Sequence, residues 1–446
     1  MLTFAHPSLP AVTSSEPPNL AYHYDIPGTR CGPEDGPWPR TYQLLSEAQL
    51  SKELDISARP QSRVFNAENG WKADSLNFQP CNNYRTQDRY VVQELLIEGE
   101  KWTLTGVFDG HLGDTTVEHT AHHMPIIIRD FLRKAVKQNA PNPLSADAVG
   151  DILKESIKSF DEAIANDVLA LFPGGLESLS SLSDLEIQKV INDHYNGGRN
   201  YNNARLCMYG TTALVALVDP QHENLWVANL GDCQAVLLSP NLFTGAFDSE
   251  ILNTMHNGDN DDEVERVRRE HPGEPSCVTE RRVLGAIAPF RCIGDVPFKQ
   301  PPEFTRRILY NLYPGFHDTS PWEEFLVRNR TPPYISSEAE IIHRPLTPKR
   351  GGCPIPLFNR GLLNTPRPLL ILCSDGLSDL YHGLTPQEMA AVWARNLTLR
   401  GQLTNLALQL LRDAIGGPDT HKVSQMLTLD MDSPWIDDVA IVVQAL

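Results

Sequence analysis

Four stretches of the chain end a run of β-prone residues in an acidic turn. They are Phe108-Asp109-Gly110-His111, Leu230-Gly231-Asp232, Leu372-Cys373-Ser374-Asp375-Gly376 and Ile436-Asp437-Asp438-Val439. A fifth acid, Asp88, begins another such run. Carboxylates gathered at one sheet rim repel one another unless cations stand between them. Oxygen ligands without a Cys or His cluster favour magnesium or manganese over zinc. Two such ions can hold a phosphoryl group and make a bound water nucleophilic. Gly110 lets the backbone itself approach an ion or a phosphate, and His111 can carry a proton near neutral pH. Each turn alone also reads as an ordinary strand cap; it is their shared design that points to metal-assisted hydrolysis.

These turns need strands to carry them. Residues 88–92 and 102–108 read as two strands across a turn at Gly99, followed by strands at 211–218, 224–229, 234–238, 369–373 and 439–443. Apolar residues at helical spacing mark 115–138 and 145–171, joined by a Pro-rich loop into an antiparallel pair. Residues 386–394 and 404–414 are also helical, and 261–270 is a charged surface helix started by Asn260 and stopped at Pro272. Strands come in meanders and helices in pairs, without doubly wound alternation. The expected fold is therefore α+β: two packed antiparallel β-sheets flanked by pairs of antiparallel helices, a four-layer α-β-β-α sandwich. Residues 1–60, rich in Pro, Ser and Gly, read as an irregular N-terminal extension with one short helix at 46–54. Residues 61–446 then form one domain with insertions near 173–207 and 296–334. The second insertion carries Tyr310, Tyr313, Phe316, Trp322 and Phe325, which suits either a protein-docking surface or a self-packed loop.

The formal net charge of −18 argues against nucleic acid or an anionic membrane as partner, because both need a basic footprint. No apolar run approaches the length of a membrane span. The first forty residues hold only Arg30 and Arg40 as strong bases and no apolar block, so neither a secretory signal nor a transit peptide is evident. Eight cysteines without a C-x-x-C pair are expected to be reduced thiols of an intracellular protein. Nothing indicates an oligomeric state.

Six motifs in order carry a resemblance: TGVFDGHLG (105–113), YGTTALVALVD (209–219), LWVANLGDCQAVL (225–237), RRVLGAIAPFRCIGD (281–295), LLILCSDGLSDL (369–380) and DDVAIVV (437–443). From about residue 62 onward the chain resembles the metal-dependent (PPM-type) serine/threonine protein phosphatases. The resemblance implies two magnesium or manganese ions, with a weaker third, and a phosphoprotein substrate. It implies that Asp109 bridges both metals, that the Gly110 carbonyl completes one of them, and that Asp375 and Asp437 hold the other. Asp232, with Asp375, would line the third site, with Asp379 behind it. His111 would protonate the leaving seryl or threonyl oxygen while a metal-bound water attacks phosphorus. Cys373, Thr211 and Thr212 are then strand and packing residues, and no cysteine need be a nucleophile.

Two departures stand out. Gln87-Asp88 replaces the family's Glu-Asp, which removes one negative charge near the second metal. The arginine with which many members grip phosphate falls at Asn83; Arg85 is near in sequence but points to the opposite face of a strand. Three features look most like the pyruvate dehydrogenase phosphatase branch: Pro289-Phe290-Arg291 before Gly294-Asp295, the Arg268-Arg269-Glu270-His271-Pro272 helix end, and Thr331-Pro332-Pro333-Tyr334 ahead of Ser337-Glu338-Ala339-Glu340. That branch implies the pyruvate dehydrogenase complex as substrate and the mitochondrial matrix as location, with cytoplasm and nucleus as alternatives. Two other readings compete: a pseudophosphatase that binds a phosphoprotein or scaffold without turnover, and a metallohydrolase of small phosphate esters.

Overall fold

The computed structural model describes residues 18–446 apart from 242, 347–348, 351–352, 355–366 and 400–404. Its main strands are β1 (Gln61–Asn66), β2 (Trp71–Phe78), β3 (Arg89–Ile97), β4 (Glu100–Phe108), β5 (Ala213–Val218) and β6 (Asn224–Leu230). They continue with β7 (Gln234–Pro240), β8 (Phe247–Ile251), β9 (Glu340–Pro345), β10 (Leu369–Cys373) and β11 (Val439–Ala445). One sheet has the order β9-β6-β5-β4-β3, the other β8-β7-β10-β11-β2-β1. Every neighbouring pair is antiparallel.

Side chains alternate across a strand with a period of two, and this decides which face meets what. Ala440 and Val442 of β11 join Leu370 and Leu372 of β10, packing with Val107, Leu214, Ala216 and Val227 of the other sheet. The intervening Val439, Ile441 and Val443 point outward to the helices. Inside the sandwich the Thr105 hydroxyl donates to Gln444 Oε1 at 2.8 Å, joining the two sheets.

The helices are α1 (Glu47–Ala58), α2 (Thr115–Asn139), α3 (Ala146–Leu169), α4 (Asp261–Glu270), α5 (Asp375–Asp379), α6 (Pro386–Leu399), α7 (Leu406–Ala414) and α8 (Thr420–Thr428). On α2, Val117, Met124, Ile128 and Leu132 recur at helical spacing and are buried with Val149, Leu153 and Ile157 of α3 against the first sheet. The Ser145 hydroxyl caps α3 by accepting from Ala148 N at 3.2 Å. Helices α6 and α7 cover the second sheet, with Trp393 fully buried. The α+β fold with two antiparallel sheets between helical layers is thus the one expected from the strand meanders and helix pairs. Among the described residues no helix is long and apolar enough to cross a membrane.

Residues 18–58 hold a short strand pair, Asn19–Ala21 with Arg40–Tyr42, and α1. Their Ala21, Ile26, Leu45, Leu50 and Leu54 lie in the same core as α7, α8 and the second sheet. Residues 1–17 of the expected extension, and residue 404 at the start of an expected helix, lie outside the described residues. The stretch near 173–207 folds into short helices that bury Ile187, Ile191 and Ala204 beneath α2 and α3.

The aromatic stretch 296–334 is packed inward for the most part. Phe298 stacks on Phe325 with ring centroids 4.3 Å apart, and of the five aromatics singled out only Tyr313 is exposed, at 80%. The three branch features meet here. His271, after α4, stacks on Tyr334 and bonds Thr331 Oγ1 at 2.8 Å. Arg291 donates to Glu263 of α4 and to the Glu338 carbonyl. Val264, Val267, Phe290 and Tyr334 form a satellite core around these bonds, which holds the 286–298 loop against the acidic rim.

Candidate active site

Three two-residue strands tie three motifs together: Gly110–His111, Gly210–Thr211 and Ile293–Gly294. The Asp109 amide donates to Thr212 Oγ1 at 3.0 Å, and Thr212 N returns a bond to the Asp109 carbonyl at 2.8 Å. Thr212 therefore fastens the acid-bearing turn as well as packing. A Cβ on Gly110 would stand 2.6 Å from the Gln87 carbonyl and 2.7 Å from Val117 Cγ1, so the turn can close on α2 only without a side chain there. A Cβ on Gly210 would overlap the Asp295 carboxylate and His111 Nε2. The bare backbone of Gly210 is what lets those two groups meet.

Around this clasp, Asp109 ends β4, Asp232 sits in the β6–β7 turn, Asp375 opens α5 after β10, and Asp437 precedes β11. All four line one hollow of about 570 Å³ with His111 and Arg30. Leu112, Ile287 and Trp322 form its apolar side. Asp88 lies close by and is buried. Burial first, then the Asp375, Asp88 and Asp232 charges, holds the Asp109 carboxyl well above the usual carboxylate range. Asp88 is raised likewise, by burial and then by Asp438, and Asp232 is pushed up to about 7 by burial and Asp375. Asp379 stands exposed at the edge; partial burial and Asp375 push it up to about 6.

These are carboxylates short of positive charge. Asp375 Oδ1 and Asp88 Oδ2 are buried without a hydrogen-bond partner, and the Asp232 carboxylate has a long 3.4 Å bond from Asn257. Among the described residues, no three His, Cys, Asp or Glu side chains already stand as a ready cage for an ion. Orphaned hard oxygens with raised proton affinity nevertheless fit divalent cations of the magnesium type.

His111 Nε2 lies 2.6 Å from Asp295 Oδ2. Burial lowers the imidazole's proton affinity, but the Asp295 contact, with Asp232 and Asp375 beyond it, outweighs this and raises it. Asp295 is itself held: the Cys292 thiol donates to it at 2.8 Å. Behind it, Asp161 accepts from Gly294 N and Lys299 Nζ at 2.8 and 2.7 Å. Asp295 as partner of His111 escaped the sequence analysis, since 184 positions separate them; the only hint was an acid just after a motif glycine. Arg30 escaped it too. It pairs with Asp437 and comes from a segment with no recognisable pattern.

The remaining residues divide. Gln87 is at the site's edge: its amide donates to Asp438 Oδ2 at 2.6 Å, its side-chain amide donates to the Tyr84 hydroxyl, and its Oε1 is buried without a partner. Asp438, bonded to Gln87 and Gln79, braces this turn from within. Asn83 is not brought to the carboxylates; it is exposed and lines a separate hollow with Thr41, Gln49 and Asp430. Arg85 is engaged by Asp114 and Glu118. Cys373 is fully buried strand core, with its thiol pushed up by burial.

Residues 82–422 match the protein phosphatase 2C family profile. The chain is 29% identical over 300 residues to mitochondrial [pyruvate dehydrogenase [acetyl-transferring]]-phosphatase 1 of Bos taurus, covering 58% of this chain and 52% of that one. It is 30% identical over 305 residues to the corresponding phosphatase 2 of Homo sapiens, covering 60% and 53%. A protein phosphatase 2C homologue of Schizosaccharomyces pombe is 25% identical over 398 residues, covering 82% and 77%. A solved serine-threonine phosphatase 2C from Toxoplasma gondii superposes with a TM-score of 0.44 at 15% identity, covering 84% of this chain and 95% of that one. The chain spans about half the length of the pyruvate dehydrogenase phosphatases it matches. With three quarters of its residues inside the matched profile, the chain belongs to the protein phosphatase 2C family.

Proposed function

We propose that the protein is a divalent-cation-dependent protein serine/threonine phosphatase that releases inorganic phosphate from phosphoserine or phosphothreonine. The observation that carries this reading is the meeting of four acidic turns with the His111–Asp295 pair in one hollow. Asp109, the Gly110 carbonyl, Asp375 and Asp437 would hold two magnesium or manganese ions, and Asp232 with Asp375, backed by Asp379, a weaker third. When bound, such ions neutralise phosphoryl charge and make water acidic enough to act as a nucleophile. Asp295 holds Nε2 of His111, which leaves Nδ1 as the atom that hands a proton to the departing seryl or threonyl oxygen. General acid help of this kind is worth ~10²–10⁴ in rate. A covalent cysteine route is disfavoured, because burial pushes the thiols of Cys233, Cys292 and Cys373 up, far from the thiolate form.

For substrate, we place the phosphorylated pyruvate dehydrogenase complex first, on the named relatives and on the packing of the three branch features beside the site. The same relatives, named as mitochondrial, support a mitochondrial location as part of this proposal. The test is phosphate release from a phosphothreonine peptide with manganese, against EDTA and against Asp109→Ala. Cation-dependent release that the substitution abolishes is the expected result. A folded protein without turnover at any manganese concentration would leave a phosphoprotein-binding pseudophosphatase, and recovery in Gln87→Glu would then name the missing charge.

A further inference from the structure

The hollow is rich in carboxylates, yet a substrate phosphate is itself a dianion that needs a fixed positive group. Among the described residues, two arginine side chains line it, Arg30 and Arg282. Arg282 donates to the Ala286 carbonyl of its own loop, while Arg85 and Arg89 are engaged by Glu118 elsewhere.

Arg30 is mounted differently. Its amide donates to the Trp435 carbonyl at 2.9 Å, two residues from Asp437. Gly28, at φ +62°, lies so close to Asp379 that a Cβ would come within 2.8 Å of that residue's carbonyl group. The base of Arg30 is thus pinned to the two turns that carry Asp375 and Asp437. Its side chain stays 58% exposed in the hollow and rests on Asp437. A divalent ion at Asp437 would supply the positive charge that Arg30 now provides, freeing the guanidinium to turn into the hollow. A guanidinium offers a planar fork matched to two phosphate oxygens.

We propose that Arg30, delivered by the segment before the family-matched region, binds the phosphate of the substrate in the cation-loaded site. This rests on the phosphatase reading for its substrate class. In it Arg30 is a substrate-binding residue with two positions: on Asp437 without ions, on phosphate with them.

The test uses the full chain and inorganic phosphate as probe, followed by titration calorimetry in the presence of manganese, with manganese affinity titrated separately. Arg30→Gln is expected to weaken phosphate binding by about ten- to a hundred-fold, as for loss of a charged hydrogen-bonded partner. Its manganese affinity should be unchanged or higher. Arg30→Lys keeps a charge for Asp437 but not the fork, and is expected to fall between the two while melting like the parent, so a folding defect in Arg30→Gln cannot pass for a binding effect. Phosphate affinity within two-fold of the parent in both variants overturns the proposal. So does a loss fully matched by lost manganese affinity, or a parent chain that binds no phosphate with manganese present. If the parent binds phosphate through Arg30 but turns over no phosphopeptide, the assignment of Arg30 stands and the enzymatic reading falls.

Discussion

Replacing Asp232 by Asn should stabilise the cation-free protein while weakening its hold on manganese. Asp232 is 6% exposed, so solvent does little to screen it. Burial and Asp375 push its carboxyl from 3.8 to about 7. Each tenfold change in proton affinity is worth about 1.4 kcal/mol, so above pH 7 the ionised group opposes folding by on the order of 4 kcal/mol. Because the folded-state value is the raised one, this penalty is complete above about pH 7 and disappears as pH falls towards 4, where the group is protonated in both states. A chain of 446 residues has an unfolding entropy of roughly 0.9 kcal/mol per kelvin. In EDTA at pH 8, Asp232→Asn is therefore expected to melt about 4 °C above the parent, and by less at pH 5. Manganese, binding only the folded form, should raise the parent more than the variant. Calorimetric melts of both proteins in EDTA and in manganese at the two pH values decide it. A variant that melts at or below the parent in EDTA, or a gap that ignores pH, would refute the account of uncompensated carboxylates.

Further outcomes follow from the same geometry. Gly110→Ala should cost about 1–3 kcal/mol from overpacking against Val117 and the Gln87 carbonyl, read as a lower urea midpoint, with turnover falling as Asp109 and His111 shift. Glu263 is buried; burial alone would raise its carboxyl, but hydrogen bonds from Arg291 and Arg266 hold it at about 2. Its contribution is complete above about pH 4.5 and lost as pH falls towards 2, and Glu263→Ala, which strands two arginines, should lose about 3–5 kcal/mol in urea unfolding at pH 7. Cys31, Cys81, Cys207, Cys233, Cys277, Cys292 and Cys373 are free and buried. A thiol reagent should accordingly leave these seven unmodified in the native protein and reach all eight cysteines only after denaturation.

Much of the fold was legible because it rests on local pattern. The runs at 369–373 and 439–443 are apolar from end to end, as strands covered on both faces must be. The helices at α2 and α3 announce themselves by their apolar spacing, and α4 by Asn260 and Pro272. Strand β2, reading WKADSLNF, was missed because Asp74, Ser75 and Asn77 interrupt any apolar alternation. Its polar groups are accommodated by tertiary partners: Asp74 accepts from Ser62 and from the Leu406 amide, and Asn77 donates to the Asp88 carbonyl. The order of β8 and β9 at the sheet edges was equally hidden, since half-exposed edge strands carry little apolar signal.

By itself the sequence determined the chemistry on offer: acids at strand ends, a glycine beside them, one histidine, and no thiol motif. Those are properties of single segments, set by residue type and by neighbours a few positions away. Only the tertiary structure decided which groups share a charge. That Asp295 holds His111, that Arg30 rather than Asn83 or Arg85 reaches the acids, and that Asp438 braces while Asp437 faces the hollow all depend on contacts across scores or hundreds of positions. Electrostatic energy depends on distance and burial in three dimensions, and neither is written in the spacing along the chain.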